Sequence, residues 1–272
     1  MFSEETPWYH VFMITAFFVF VFGACIGSFC SAWLYRARSG DSIVTGRSEC
    51  TSCHKRLAAI DLIPIVSQLI CRSRCRYCKA KFSWSYMALE VGMGALFLGA
   101  YYRYCGFGFM CSASGQNFFM AMRLAFFLVF LALVFIYDAR YGEIPDAFSI
   151  TGGLVALTVN IFMKPNDWMW YLLAAAVGAA FFGAQYVLSR GKWVGDGDIL
   201  LGAMIGAMVG WPFVIVSIFS SYILGLIVVF SLMILKRKKL DDTIPMGPLL
   251  ALGAAAVLIL PLSFFPFFWY AW

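Results

Sequence analysis

Two stretches of this chain place carboxylates where apolar sequence surrounds them. Gly195-Asp196-Gly197-Asp198 interrupts the run between Lys192 and Lys236, and Asp138 opens a second acidic stretch that also holds Glu143 and Asp146. A charged side chain at the end of a membrane-embedded helix costs about 2.5 to 3.5 kcal/mol even on lenient insertion scales, so such residues point to function. Two aspartates brought together in a low-dielectric site cannot both ionise readily. Such a pair supplies a base to activate water and an acid to protonate a leaving amine, and it titrates as one unit. Asp138 and Asp198 are the expected catalytic pair. Gly195 and Gly197 are expected to let the backbone turn tightly and approach a substrate chain, with Asp196 pointing away from Asp198. Ile144-Pro145 reads as extended, with Asp146 in the acidic first turn of the next helix. Glu143, Asp146 and Asp196 are candidates to attract a basic substrate segment, and ordinary loop charge explains them equally well.

A second constellation is made of thiols. Cys50-x-x-Cys53 and Cys75-x-x-Cys78 form two knuckles, spaced slightly more widely than the usual zinc ribbon. Four thiolates complete a tetrahedral zinc site, and Lys55, Arg56, Arg74, Arg76 and Lys79 beside them favour the charged form. A reducing compartment favours metal over disulfides. His54 and Cys71 lie close enough in sequence to substitute as ligands.

The elements that carry these residues are apolar helices. Of 272 residues, 62% are hydrophobic, 18% aromatic and 12% charged, against about a quarter charged in soluble domains. The expected fold is an all-α polytopic membrane protein. Apolar segments run at 11–34, 87–104, 118–137, 147–163, 168–188, 199–211, 213–235 and 249–269, giving about eight passes through the bilayer. The alternative, in which Pro212 kinks one long helix, exports the Lys236-Arg237-Lys238-Lys239 cluster; eight passes with both termini outside keep it in the cytoplasm, as the positive-inside rule requires. The same orientation puts 36–85, 138–146 and 189–198 inside. It leaves only Arg103, Arg123 and Lys164 among the basic residues elsewhere. The formal charge of +6 is thereby explained by orientation, and nucleic acid is not expected as a partner.

Glu4 and Glu5 stand where a cleaved signal would carry basic residues, so the first segment is expected to be a retained anchor. Gly202, Gly206 and Gly210 recur at every fourth position and present a face that a neighbouring backbone can approach. Cys25 and Cys30 read as small buried hydrophobes, and Cys105 with Cys111 would fall in an outside loop that permits a disulfide. The division expected is a first transmembrane helix at 1–35, a cytoplasmic Cys-rich zinc-binding domain at 36–85, and a transmembrane protease domain at 86–272.

Taken together, these motifs resemble the bacterial type IV prepilin peptidases, membrane aspartic proteases of the GxGD type. Gly27-Ser28-Phe29 followed by Tyr35-Arg36 is similar to the family's first-helix signature, and Cys50, Cys53, Asp61, Pro64, Ser67, Cys75, Cys78, Tyr86 and Glu90 are similar to its cysteine-domain spacing. Asp138 with Ile144-Pro145-Asp146, and Gly195-Asp196-Gly197-Asp198, are similar to its two aspartate motifs. The resemblance implies cleavage of basic leaders from type IV prepilins or type II secretion pseudopilins at the cytoplasmic face of the bacterial inner membrane. It also implies N-methylation of the new terminus with S-adenosylmethionine, an activity tied to the cytoplasmic region. The chain departs from the pattern at Ser31, where Asn is common, at Leu200, where Lys is common, and at the additional Cys71. Two other classes fit parts of the pattern. A membrane thiol oxidoreductase would use the Cys pairs on an oxidising side, and a proton- or cation-coupled transporter would place its acids near the midplane.

Overall fold

In the computed structural model of the chain, residues 7–42, 47–106, 115–234 and 245–260 are described. Among them the structure is helical, without strands. The helices are α1 (Pro7–Ser39), α2 (Val66–Ile70), α3 (Trp84–Cys105), α4 (Gln116–Tyr141), α5 (Asp146–Met163), α6 (Trp168–Ser189), α7 (Asp196–Val209), α8 (Phe213–Ile234) and α9 (Met246–Ile259), with a single 3-10 turn at Ala59–Leu62. The Lys236 to Lys239 cluster, Cys111 and the segment end at Trp269 lie outside the described residues.

Every expected apolar segment is occupied by a helix, the last of them described only as far as Leu260. Among the described residues five helices, α1, α4, α5, α6 and α8, are long and apolar enough to cross a membrane. The expected count of eight is therefore not reached on length and hydropathy. At a rise of about 1.5 Å per residue, the 14 residues of α7 and of α9 fall short of a hydrocarbon core about 30 Å thick. Glu90, Arg103 and a cluster of tyrosines make α3 more polar than the other long helices. The sixth and seventh segments are separate helices: α7 stops at Gly210, with φ of +77°, and Pro212 then precedes α8.

The chain divides into two units, Met1–Ala125 and Phe126–Trp272. In the first, α3 packs along α1. Phe97, Met93 and Tyr101 are buried there, and Phe12 stacks on Tyr101 with ring centroids 5.8 Å apart.

In the second unit α7 packs against α5, α6, α8 and α9. Leu201, Met204, Ile205 and Met208 are all fully or nearly fully buried. A helix apolar all round belongs in such a core. Gly202 lies against the backbone of Gly178 and Gly206 against that of Ala174, both on α6, so neither glycine has room for a Cβ. The small-residue face thus finds the close backbone contact expected of it. Asn160 of α5 adds a polar tie, donating Nδ2 to the Ala207 carbonyl at 2.8 Å from a fully buried position. Because the obstruction at Gly206 is main chain and cannot rotate away, Gly206→Leu is expected to destabilise the second unit by about 1 to 3 kcal/mol. Thermal unfolding in detergent would measure this, and an unchanged midpoint would contradict the packing.

Candidate active site and thiol cluster

Asp138 lies in the last turn of α4 and Asp198 in the first turn of α7. Both are buried, with 4% and 6% of their surface exposed, and they stand close enough for their charges to interact. A helix N-terminus leaves its first four N–H groups without intrahelical partners, and the two carboxylates use this supply. The Gly195 N–H donates to Asp198 Oδ2 at 2.9 Å, closing a cap on its own helix. The Gly247 N–H, in the first turn of α9, donates to Asp138 Oδ2 at 2.8 Å. Asp138 would otherwise sit at the negative end of the α4 dipole, and the start of α9 offsets that with a positive one. Among the described residues, no hydrogen bond reaches the second oxygen of either carboxylate.

The surroundings fix both helix ends. Tyr137, next to Asp138, meets Phe148 of α5 edge to face at 5.6 Å, and both rings are buried. Pro145 is extended at φ −65° and ψ 128°, and α5 starts at Asp146 directly after it. Asp146 and Glu143 are both exposed. Asp196 is exposed too, its Oδ1 accepting the Gly197 N–H at 3.0 Å, so it does point away from the buried Asp198. Neither glycine of the motif adopts the left-handed backbone expected of a tight turn. Gly195 is extended, at φ −80° and ψ 166°. The requirement at Gly197 is proximity: a Cβ there would lie 3.0 Å from the Ile144 Cβ and 3.1 Å from its carbonyl oxygen.

The thiol cluster belongs to the first unit. Each knuckle closes in the same way. His54 N–H donates to the Cys50 carbonyl and Cys50 N–H to that of Lys55; Lys79 N–H donates to Cys75 and Cys75 N–H to Ala80. The residue after each pair, His54 or Lys79, takes a left-handed φ of 54° or 60°. The Sγ atoms of Cys50, Cys53, Cys75 and Cys78 all lie within 4.8 Å of one another, with Cys50 and Cys78 3.8 Å apart. Tetrahedral zinc with Zn–S of about 2.3 Å requires sulfurs about 3.8 Å apart, so the donor set fits zinc in type and spacing. Backbone N–H donation, chiefly from Ser52, holds the Cys50 thiol down at about 6. His54 and Cys71 stand outside this foursome, and His54 Nδ1 faces the Glu49 carboxylate at 3.7 Å.

Comparison with known proteins adds an independent line. Residues 21–104 match the model of the bacterial peptidase A24 N-terminal domain, and residues 125–230 match that of the type IV leader peptidase family. The prepilin leader peptidase/N-methyltransferase of Bacillus subtilis is 28% identical over 239 residues, covering 87% of this chain and 90% of the relative. The protein of the same name from Pseudomonas putida is 30% identical over 221 residues, covering 78% of this chain and 71% of the relative. This chain belongs to the type IV leader peptidase family. A third member, from Myxococcus xanthus, is 30% identical over 72% of this chain and 56% of its own length. No solved structure matches the chain.

Within this leader peptidase, the structure adds a contact that the sequence reading missed, at Gly247, and gives partners to Glu90 and Asp61, which that reading named for their spacing alone. Gly247 carries the donor to Asp138. Glu90 is buried, and its Oε2 accepts from the Ile65 N–H at 2.7 Å and from Gln68 Nε2 at 3.3 Å. Asp61 forms an ion pair with Arg76, in the second knuckle, at 3.0 Å. The available signal for Gly247 was its setting, Pro245-Met246-Gly247-Pro248, where prolines bracket a helix start.

Two predictions test this geometry. A Cβ at Gly247 would lie 2.5 Å from Asp138 Oδ2 and 3.1 Å from its Cγ, so Gly247→Ala is expected to displace the carboxylate. Misplacing such a group costs on the order of 10²-fold in rate, and wild-type turnover by Gly247→Ala would contradict the arrangement. Metal analysis of the purified protein is expected to find stoichiometric zinc that Cys50→Ser/Cys75→Ser loses. Unchanged metal content in that double variant would refute the site.

Proposed function

We propose that this protein is a membrane-embedded aspartic endopeptidase that removes the basic leader from type IV prepilins or type II secretion pseudopilins, and that it also N-methylates the new terminus. The observation that carries the first half is the pair of buried carboxylates, Asp138 and Asp198, each with one oxygen held by a helix-terminal N–H in a member of the leader peptidase family. The relatives' shared name, prepilin leader peptidase/N-methyltransferase, supports both halves.

In this reading a water lies between the free oxygens of the two aspartates. The ionised carboxyl takes a proton from that water as its oxygen attacks the scissile carbonyl carbon, forming a tetrahedral intermediate. The protonated carboxyl then donates to the departing nitrogen as the C–N bond breaks, leaving a new carboxylate on the leader and a free amine on the mature chain. Gly195 and Gly197 keep the approach to Asp198 low. The exposed Asp146 and Glu143 attract the basic leader, an attraction that salt weakens. The substrate's apolar helix lies along the protease helices in the bilayer, so the junction reaches the site without unfolding.

The division of labour follows: an anchor helix at 1–35, a cytoplasmic zinc-bearing loop at 36–85 and the protease helices at 86–272. The setting is the bacterial inner membrane with the aspartates toward the cytoplasm. Cys50, Cys53, Cys75 and Cys78 would hold zinc, which would tie the two knuckles together. S-adenosylmethionine, when bound, would supply the methyl group for the new terminal amine.

Processing of a prepilin by purified protein, followed by mass, tests the reading. Asp138→Asn and Asp198→Asn are each expected to lower cleavage by about 10² to 10⁴-fold, the range of general acid–base catalysis. Full cleavage by either variant would overturn the dyad.

A further inference from the structure

The segment between the two Cys pairs carries an exposed apolar surface. Ile60, Leu62, Ile63, Val66, Leu69 and Ile70 are each between 42% and 71% exposed. On α2 the side chains are sorted: Val66, Leu69 and Ile70 fall at the i, i+3 and i+4 positions of one helix face, while Gln68 turns the other way and donates Nε2 to Glu90 at 3.3 Å. A cluster of large exposed apolar residues marks a surface that something covers.

Its depth in the molecule points to the cover. The Ile65 N–H donates to Glu90 Oε2 at 2.7 Å, which pins the segment to α3 six residues beyond Trp84, the start of that helix. Opposite Glu90 stands Gly27 of α1, where a Cβ would lie 2.8 Å from the Glu90 Cα. Gly27 comes nine residues before Arg36, the first Lys or Arg of the chain. At about 1.5 Å per residue, the Glu90 backbone therefore lies about 9 Å past Trp84 and about 13 Å past Arg36. The Glu90 side chain leans back toward the start of its helix and recovers only part of that depth. Trp84 is exposed, and Trp and Arg mark the headgroup level, so both helices put the segment at the edge of the apolar layer. The chain enters and leaves α2 through left-handed residues, Ile65 at φ 63°, Arg72 at 50° and Ser73 at 51°.

Charge fits the same cover. Arg72 and Arg74 follow Ile70 closely and are exposed. Arg74 is bridged through the backbone to Lys81, which precedes Trp84 by three residues. This basic cluster thus stands at the headgroup end of α3, where anionic phosphates attract it. It repels a basic leader peptide as an alternative occupant.

We propose that residues 60–70 form an interfacial segment whose apolar side chains insert into the leaflet nearest Arg36, with Arg72, Arg74 and Lys81 meeting the phosphates of anionic lipid. The proposal goes beyond leader cleavage and rests only on the bilayer setting of that reading. It gives the Cys-bearing loop an attachment to the membrane besides the helices at its two ends.

The test uses the purified full chain in vesicles of phosphatidylcholine and phosphatidylglycerol at equal content, one or the other carrying a diazirine near the ester end of its acyl chain. After irradiation and digestion, mass spectrometry should find label in peptides containing 60–70, and in α1 as the internal control. Because Ile70 is so exposed, Ile70→Asp is expected to leave the fold and the labelling of α1 unchanged while labelling of 60–70 falls several-fold. Phosphatidylglycerol should label 60–70 about fivefold more than phosphatidylcholine does, and Arg72→Gln/Arg74→Gln should remove that preference. The proposal falls if α1 is labelled and 60–70 is not, if Ile70→Asp labels like the wild type, or if the two lipids label 60–70 of the wild type equally. Loss of label from 60–70 alone would leave the peptidase reading standing, whereas absence of label from α1 as well would overturn both.

Discussion

The start of α9 and the start of α7 each aim a backbone N–H at a buried carboxylate, and much of the second unit exists to keep those two helix ends in place. A carboxylate side chain left alone in an apolar interior swings between rotamers or draws in water. Here one oxygen of each is committed to a main-chain donor that cannot rotate away. The remaining oxygens are consequently fixed in direction. The close α6–α7 contact through Gly202 and Gly206 sets the height of one carboxylate, and the Tyr137–Phe148 ring contact beside α4 steadies the other.

The two units solve different problems with related means. In the second, small residues let backbones approach and the candidate site is made of two acids. In the first, short hydrogen-bonded turns repeat around two Cys pairs, and the buried Glu90 ties the intervening loop to α3 through the Ile65 N–H. Asp61 and Arg76 then link that loop to the second knuckle. A loop with so little regular structure is held by a few specific polar ties and by the thiols, because its large apolar residues, among them Ile60, Leu62, Ile63, Leu69 and Ile70, stay exposed and build no core of their own.

Much of this was legible in the sequence because it follows from local cost. Charges inside apolar runs are expensive, so Asp138 and Asp198 stood out. Cys-x-x-Cys pairs have a fixed reach, so the four sulfurs could be grouped. The fourth and fifth apolar segments were placed to within a residue at each end, as α5 and α6 show. At α1 the helix outruns its apolar stretch to Ser39, since Arg36 and Arg38 are good helix formers once the chain has left the apolar region. What was not legible depends on non-local main chain. The partner of Asp138 is a backbone N–H, which leaves no mark on residue type, and Gly197 is required by Ile144 of another element. Among the described residues five helices meet the length and hydropathy of a span, so the eight crossings read from apolar character are not confirmed, and α7 and α9 have only 14 residues each.

The hydrogen bond from Gly247 to Asp138 joins residues 109 positions apart, and this gives the protein an order of assembly. While the chain is being made, α4 through α8 can enter the membrane with Asp138 still lacking its donor. Only when α9 has docked is that carboxylate held. The contact that positions Asp138 therefore comes from a helix separated by four others from the one that carries the acid.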